Sequence, residues 1–126
     1  MKAFRLIIAG GRDFDDFKKL CMVCDHMLSR VIEEGYKITV VCGMAKGADT
    51  LGEKYAKKRG FDVAYFPAGW NKYGKKAGYL RNQQMLDYAR GTEGACIAFW
   101  DGKSRGTKNM IDLCNKYDLR LHISRY

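Results

Sequence analysis

Short, mostly apolar runs alternate along the chain with longer stretches whose apolar positions recur every three or four residues. Residues 4–9, 37–42, 62–66, 95–100 and 119–123 have the length and composition of strands. Between them, 16–34, 48–59, 79–90 and 107–116 read as helices, and Gly35, Gly60 and Gly91 stop the first three. Residues 67–78 read as a long loop, and the single proline, Pro67, marks the exit from the third strand. Strands separated by helices pair in parallel, because each crossover lays a helix on a face of the sheet. The expected fold is therefore α/β, a three-layer parallel sheet of about five strands with helices on both faces. No linker, low-complexity run or change of composition interrupts the pattern, so residues 1–126 are expected to form one domain.

Glycines mark where chemistry should sit. Gly10 and Gly11 follow the first strand, and Gly43 and Gly47, spaced G-x-x-x-G, follow the second. Gly69, Gly74 and Gly78 follow the third strand, and Gly102 and Gly106 repeat the G-x-x-x-G spacing after the fourth. In a parallel sheet all four loops emerge at the carboxyl edge, where open α/β sheets bind ligands. A glycine loop running into a helix start offers free N–H groups and a partial positive charge to an anion. Turns between strands and helices use glycine in any case, but two matched loops plus a glycine pair point to a phosphate-bearing ligand.

Charge sharpens that picture. The chain has 23 Lys and Arg against 14 Asp and Glu, a net charge of +9. Arg12, Lys46, Lys72, Lys75, Lys76, Arg81, Lys103 and Arg105 lie in or just after the glycine loops, with Asp13, Asp49 and Asp101 as the nearby acids. That edge is expected to be positive and to focus an anionic ligand. Lys54, Lys57, Lys58 and Arg59 fall late in a helix, where cations suit the helix dipole, and receive no functional role. With 13% aromatic and 29% charged residues the chain is neither a disordered basic tail nor a coiled coil.

No apolar run approaches the roughly 20 residues of a membrane span, and the apolar segment before Gly10 is short for a secretory signal. A cytoplasmic protein without a membrane partner is expected. Five irregularly spaced cysteines fit a reducing compartment. Cys21 and Cys24 form a C-x-x-C near His26, which raises a redox or zinc site. Both also fall on the stripe of Phe17, Leu20, Met27, Leu28 and Val31, and a zinc site would need two more ligands. Packing is the favoured reading, for Cys42 and Cys96 as well, and no metal or redox cofactor is indicated.

Taken in order, Gly10-Gly11-Arg12-Asp13-Phe14, Val41-Cys42-Gly43-Met44-Ala45-Lys46-Gly47-Ala48-Asp49 and Phe66-Pro67-Ala68-Gly69-Trp70 resemble the YspA/YpsA-related branch of the SLOG superfamily. Lys75-Lys76-Ala77-Gly78-Tyr79-Leu80-Arg81-Asn82-Gln83-Gln84-Met85 and Gly102-Lys103-Ser104-Arg105-Gly106-Thr107 complete the resemblance, which spans residues 4–123. It implies a Rossmann-like fold of a bacterial or phage protein, with a nucleotide or nucleotide-derived ligand at the glycine loops. It also implies kinship with Smf/DprA proteins and LOG phosphoribohydrolases, and from the latter a homodimer.

Within that resemblance, residues 43–49 would cradle a phosphate with backbone N–H groups, Lys46 adding charge. Residues 102–107 would form a second cradle, with the Ser104 and Thr107 hydroxyls as further partners. Asp49 at a first helical turn serves either as a brace or as a ligand contact. Arg81 and Asn82 open a helix toward the same crevice, Arg81 suiting a phosphate. Trp70 either stacks on a base or pins its loop, and Tyr73 poses the same question more weakly. LOG enzymes carry a glutamate in Gly-Gly-x-Gly-Thr-x-x-Glu, but here Met110 takes its place after Gly106 and Thr107. Glycosidic cleavage needs a carboxylate, so the first reading is a nucleotide-binding sensor or processing protein whose catalytic residues, if any, are unassigned. The alternatives are a nucleotide hydrolase acting at the glycosidic or phosphate end with Asp101 or Asp49 as acid, and a single-stranded DNA-binding protein. For the last, the basic charge speaks in favour, and the lack of evident free aromatics beyond Trp70 and Tyr73 speaks against.

Overall fold

The computed structural model describes the whole sequence, Met1–Tyr126. Strands β1 (Ala3–Gly10), β2 (Lys37–Cys42), β3 (Asp62–Tyr65), β4 (Glu93–Trp100) and β5 (Arg120–Arg125) form an all-parallel sheet in the order β3-β2-β1-β4-β5. Helices α1 (Phe17–Glu33), α2 (Ala48–Arg59), α4 (Ala77–Arg90) and α5 (Arg105–Lys116) connect them, with a one-turn helix α3 (Trp70–Tyr73) before α4. This is the Rossmann-like α/β architecture expected from the alternation of strand and helix patterns.

Side chains alternate between faces along a strand, so a central strand buried on both sides must be apolar throughout. In β1, Phe4, Leu6 and Ile8 enter one core cluster with the inward residues of α1 and α2. Ile7 and Ala9 enter a second with Met85, Leu86 and Ala89 of α4 and Met110 and Cys114 of α5. α1 is capped by Asp16, whose carboxylate accepts the Lys19 N–H at 3.0 Å. Its buried stripe is Leu20, Cys21, Cys24, Leu28 and Val31, so Cys21 and Cys24 are packed free thiols, and burial pushes the Cys24 thiol far up. Cys42, Cys96 and Cys114 are likewise buried and free.

From β1 the chain builds outward through β2 and β3, then crosses back to add β4 and β5 on the other side. The strand order therefore reverses between β1 and β4. At such a reversal the flanking loops diverge and leave a crevice beyond the carboxyl ends of the strands. No helix is long and apolar enough to cross a membrane.

Several boundaries differ from the sequence pattern. The expected loop at 67–78 holds α3 and a 3₁₀ turn, Gly74–Lys76, and α4 starts at Ala77. The Gly69 carbonyl accepts the Lys72 and Tyr73 N–H groups at 3.1 and 2.9 Å, and α3 buries no residue, so it leaves no apolar periodicity to read. The third strand ends at Tyr65, though the Phe66 N–H still donates to the Cys42 carbonyl at 2.8 Å. β4 begins at Glu93 because Glu93 and Gly94 pair with Phe4 and Arg5 of β1 despite lacking apolar character. α5 begins at Arg105, with the Ser104 side chain accepting from the Thr107 N–H. β5 runs on to Arg125, paired with Trp100.

Candidate functional site

The crevice at the reversal is a cleft of about 500 Å³. Its floor is the end of β1, Ala9 and Gly10; Gly11, Arg12 and Asp13 follow in the next loop, and Ala45 and Asp49 come from the loop and first turn after β2. One wall is the start of α4, with Gly78, Arg81, Asn82 and Met85 at the spacing of a single helix face. The facing wall is the start of α5, with Ser104, Gly106, Thr107 and Met110. Trp70, Lys75 and Tyr79 form the rim, and Asp101 closes the end beside Ser104. A second hollow of about 520 Å³ adjoins it, lined by Gly43, Met44, Lys46, Pro67 and Ala68, and shares Arg12, Ala45, Trp70 and Arg81 with the first.

Gly47, Ala48 and Gly102 line neither hollow. Gly47 has φ +74, and a Cβ there would collide with the Gly11 carbonyl and the Arg12 backbone. It allows the loops after β1 and β2 to pack against each other. At Gly10 the constraint is close approach alone, since a Cβ would lie 2.6 Å from the Phe99 carbonyl and 2.7 Å from the Ala48 methyl group. Ala48 donates its N–H to the Gly11 carbonyl at 3.2 Å, and Gly102 lies under the Arg125 guanidinium.

The loop after β2 turns several donors inward. The Met44 N–H reaches the Cys42 sulfur at 3.4 Å and the Ala45 N–H reaches Asp49 Oδ2 at 3.1 Å. Fewer of its amides are therefore free for a ligand than the glycine spacing suggests. Met44 pays for this path with φ +62, a conformation that side-chain-bearing residues rarely adopt and that nothing in the sequence signals. On the other side of the cleft, Arg105 and Gly106 open α5 as its first two residues, where backbone N–H groups have no carbonyl one turn back.

Arg81 is held in place by its own bonds. It donates to the Gly43 carbonyl, and its Nε donates to Asn82 Oδ1 at 3.1 Å. Buried Asn82 donates in turn to the Gly106 carbonyl at 3.1 Å and to Asn109 Oδ1 at 3.0 Å. One hydrogen-bonded chain thus joins the loop after β2, the start of α4 and the start of α5. Arg12 is exposed at the mouth.

The three acids differ. Burial raises the Asp49 carboxyl above its ordinary value, against the Ala45 N–H and the charges of Arg81 and Arg12. Asp49 braces the loop through Ala45 while lining the cleft. Asp101 accepts the Lys103 and Ser104 N–H groups, both at 2.8 Å, and these bonds lower its pKa. It stays ionised at neutral pH and is a poor proton donor. Asp13 accepts the Tyr126 hydroxyl at 2.5 Å. Met110, which the sequence resemblance sets at the place of the LOG glutamate, is fully buried and brings a thioether to the cleft lining.

Trp70 is half exposed and walls both hollows, its ring lying beside Gly78. Tyr73, Lys72, Lys76, Lys103 and Arg105 lie outside both hollows. The residue that sequence reasoning passed over most directly is Tyr79, an exposed third aromatic on the rim. Met85 was also missed. Its signal was the i, i+3, i+4, i+7 series Gly78, Arg81, Asn82, Met85, which puts it one turn below Arg81 and Asn82 on the same face.

Residues 4–73, more than half of the chain and running from β1 through α3, match the family described as YspA, cpYpsA-related SLOG family. The chain belongs to this family. As a SLOG protein it is 34% identical over 112 residues to the Gene 61 protein of Mycobacterium phage D29, with 85% of each chain covered. Among solved structures it is similar to a predicted subunit of tRNA methyltransferase from Methanocaldococcus jannaschii, at 13% identity and a TM-score of 0.40, covering 99% of this chain and 68% of that one. SLOG membership points to nucleotide-derived molecules as the class of ligand to consider.

Proposed function

We propose that this SLOG protein binds a nucleotide or nucleotide-derived phosphate ligand in the cleft between the carboxyl ends of β1 and β4. The observation that carries this reading is the convergence of Arg12, Lys75 and Arg81, from three separate segments, on one cleft at the strand-order reversal. The phosphate would meet Arg12 and Arg81, the Thr107 hydroxyl and the first amides of α5, where the helix dipole also favours an anion. Trp70 and Tyr79 at the rim offer faces on which a base can stack. The volume suits a mononucleotide-sized molecule, which is in the range of ordinary ligand pockets. Binding without turnover is favoured over hydrolysis because Met110 brings a thioether to the lining, Asp49 is engaged with the Ala45 N–H, and Asp101 is held ionised and cannot protonate a leaving base.

A thermal-shift panel of nucleoside mono-, di- and triphosphates tests this, read with the wild type and with Arg12→Ala. At least one nucleotide should raise the melting temperature with a saturating dependence on its concentration. Arg12→Ala should weaken that nucleotide on the order of 10- to 100-fold, the scale of one charge-assisted hydrogen bond. A folded wild type that no nucleotide shifts would sink the reading. Release of free base in the same mixtures would replace it with the hydrolase.

A further inference from the structure

The corner made by α3, the 3₁₀ turn and the start of α4 has a composition that the cleft does not account for. From Phe66 to Gln84 the chain carries Lys72, Lys75, Lys76 and Arg81 and no Asp or Glu. Over the same stretch Trp70, Tyr73 and Tyr79 are 49%, 47% and 48% exposed. Trp70 rests beside Gly78 and Tyr73 beside Gly69, and about half of each ring stays open to solvent on a helix that buries no residue. Lys72 Nζ lies 5.2 Å from the centre of the Tyr73 ring, so cation and aromatic face are interleaved at the surface. Trp70, Lys75 and Tyr79 border the cleft, whereas Lys72, Tyr73 and Lys76 lie beyond it. The aromatic and basic surface is thus continuous with the cleft and larger than it.

We infer that this corner is a docking surface for single-stranded nucleic acid, with bases stacked on Trp70, Tyr73 and Tyr79 and phosphates set against Lys72, Lys75 and Lys76. Every base has a π face, so exposed rings bind single strands with little regard to sequence, and interleaved lysines follow the backbone. A duplex hides its base faces and would leave the rings idle. An acidic peptide would meet the lysines but has no need of three exposed rings. A mononucleotide confined to the cleft would not reach Lys72, Tyr73 or Lys76. The surface therefore shares Trp70, Lys75 and Tyr79 with the nucleotide site and extends beyond it through Lys72, Tyr73 and Lys76.

Fluorescence anisotropy with fluorescein-labelled oligodeoxythymidylate and oligouridylate of about 12 nucleotides, within the footprint of such surfaces, tests the inference. A duplex of equal length serves as the third probe. The wild type should bind a single strand more tightly than the duplex, and the better of the two single strands tells whether DNA or RNA is preferred. Tyr73→Ala should weaken single-strand binding about tenfold. Lys72→Ala/Lys76→Ala should weaken it too and reduce the slope of log affinity against log salt by about 1.4. Lys18→Ala/Lys57→Ala, which removes the same charge from exposed sites elsewhere, should leave both nearly unchanged. Equal binding of duplex, an equal loss in that control, or no binding to either single strand overturns the inference. Thermal shifts by nucleotides, unchanged in Tyr73→Ala, report the cleft separately, and because α3 buries nothing these variants leave the core intact.

Discussion

Asp49 shows how one residue can be legible in sequence and still have its environment set elsewhere. Its place at the first turn of α2 made it a brace or a ligand contact, and it braces Ala45 while facing the cleft. Its burial depends on the neighbouring loops and on Arg81 from α4, which no local pattern encodes. Because burial raises its pKa, Asp49 contributes stability that is fully present below the ordinary value of 3.8 and is lost as pH rises through the raised value. Asp49→Asn keeps the shape and an acceptor for the Ala45 N–H but cannot ionise. The melting temperature of Asp49→Asn relative to the wild type should therefore climb by a few degrees as pH goes from below 3.8 to neutral. A flat difference across that range, or a wild type that gains relative to the variant, would show that the buried carboxylate is not held against its own charge.

At the scale of elements, amphipathic and apolar periodicity revealed what is anchored by the core. The long helices and the central strands announce themselves because their apolar faces must be buried, and α3 stays hidden because it has no such face. The end of β5 was obscure for a related reason: Arg120, His122, Ile123 and Arg125 are exposed, so only pairing with β4 defines it. That end nonetheless bears on the cleft. The Tyr126 N–H donates to the Trp100 carbonyl at 3.2 Å, its ring packs on Phe14 with centroids 5.0 Å apart, and its hydroxyl donates to Asp13. The loop carrying Arg12 is thereby tied to the far side of the sheet. Tyr126→Phe retains the ring and removes the bond, at a cost of about 1 kcal/mol for a hydrogen bond open to solvent. Amide hydrogen exchange at Phe14, whose N–H closes the loop on the Gly11 carbonyl at 3.2 Å, should quicken in that variant while β4 stays protected. Unchanged exchange in the loop would mean that the packing of Tyr126 on Phe14 alone holds it.

For the whole molecule, the informative quantity is where the positive charge gathers. A net charge of +9 is as compatible with diffuse attraction to any polyanion as with a built site. Parallel topology turns linear spacing into geometry, because it places every glycine loop on one edge of the sheet. It does not say which cations converge. Arg12, Lys75 and Arg81 meet in the cleft, whereas Lys103 and Arg105 emerge from a loop just as rich in glycine and line no hollow. That distinction depends on side-chain direction at each loop, which spacing leaves undetermined. It has a thermodynamic consequence that needs no knowledge of the ligand. Chloride can only screen the self-repulsion of the molecule, whereas inorganic phosphate can also occupy the cleft. At equal ionic strength, phosphate should therefore raise the melting temperature above chloride. Part of that excess is general, since phosphate is excluded from protein surfaces and favours compact states. Arg12→Ala/Lys75→Ala and Lys18→Ala/Lys57→Ala each lose two positive charges and feel that general effect alike. The excess should shrink in the cleft variant alone. If both variants keep it equally, the cleft does not distinguish phosphate from bulk anion, and the convergence of its cations reflects topology without recognition.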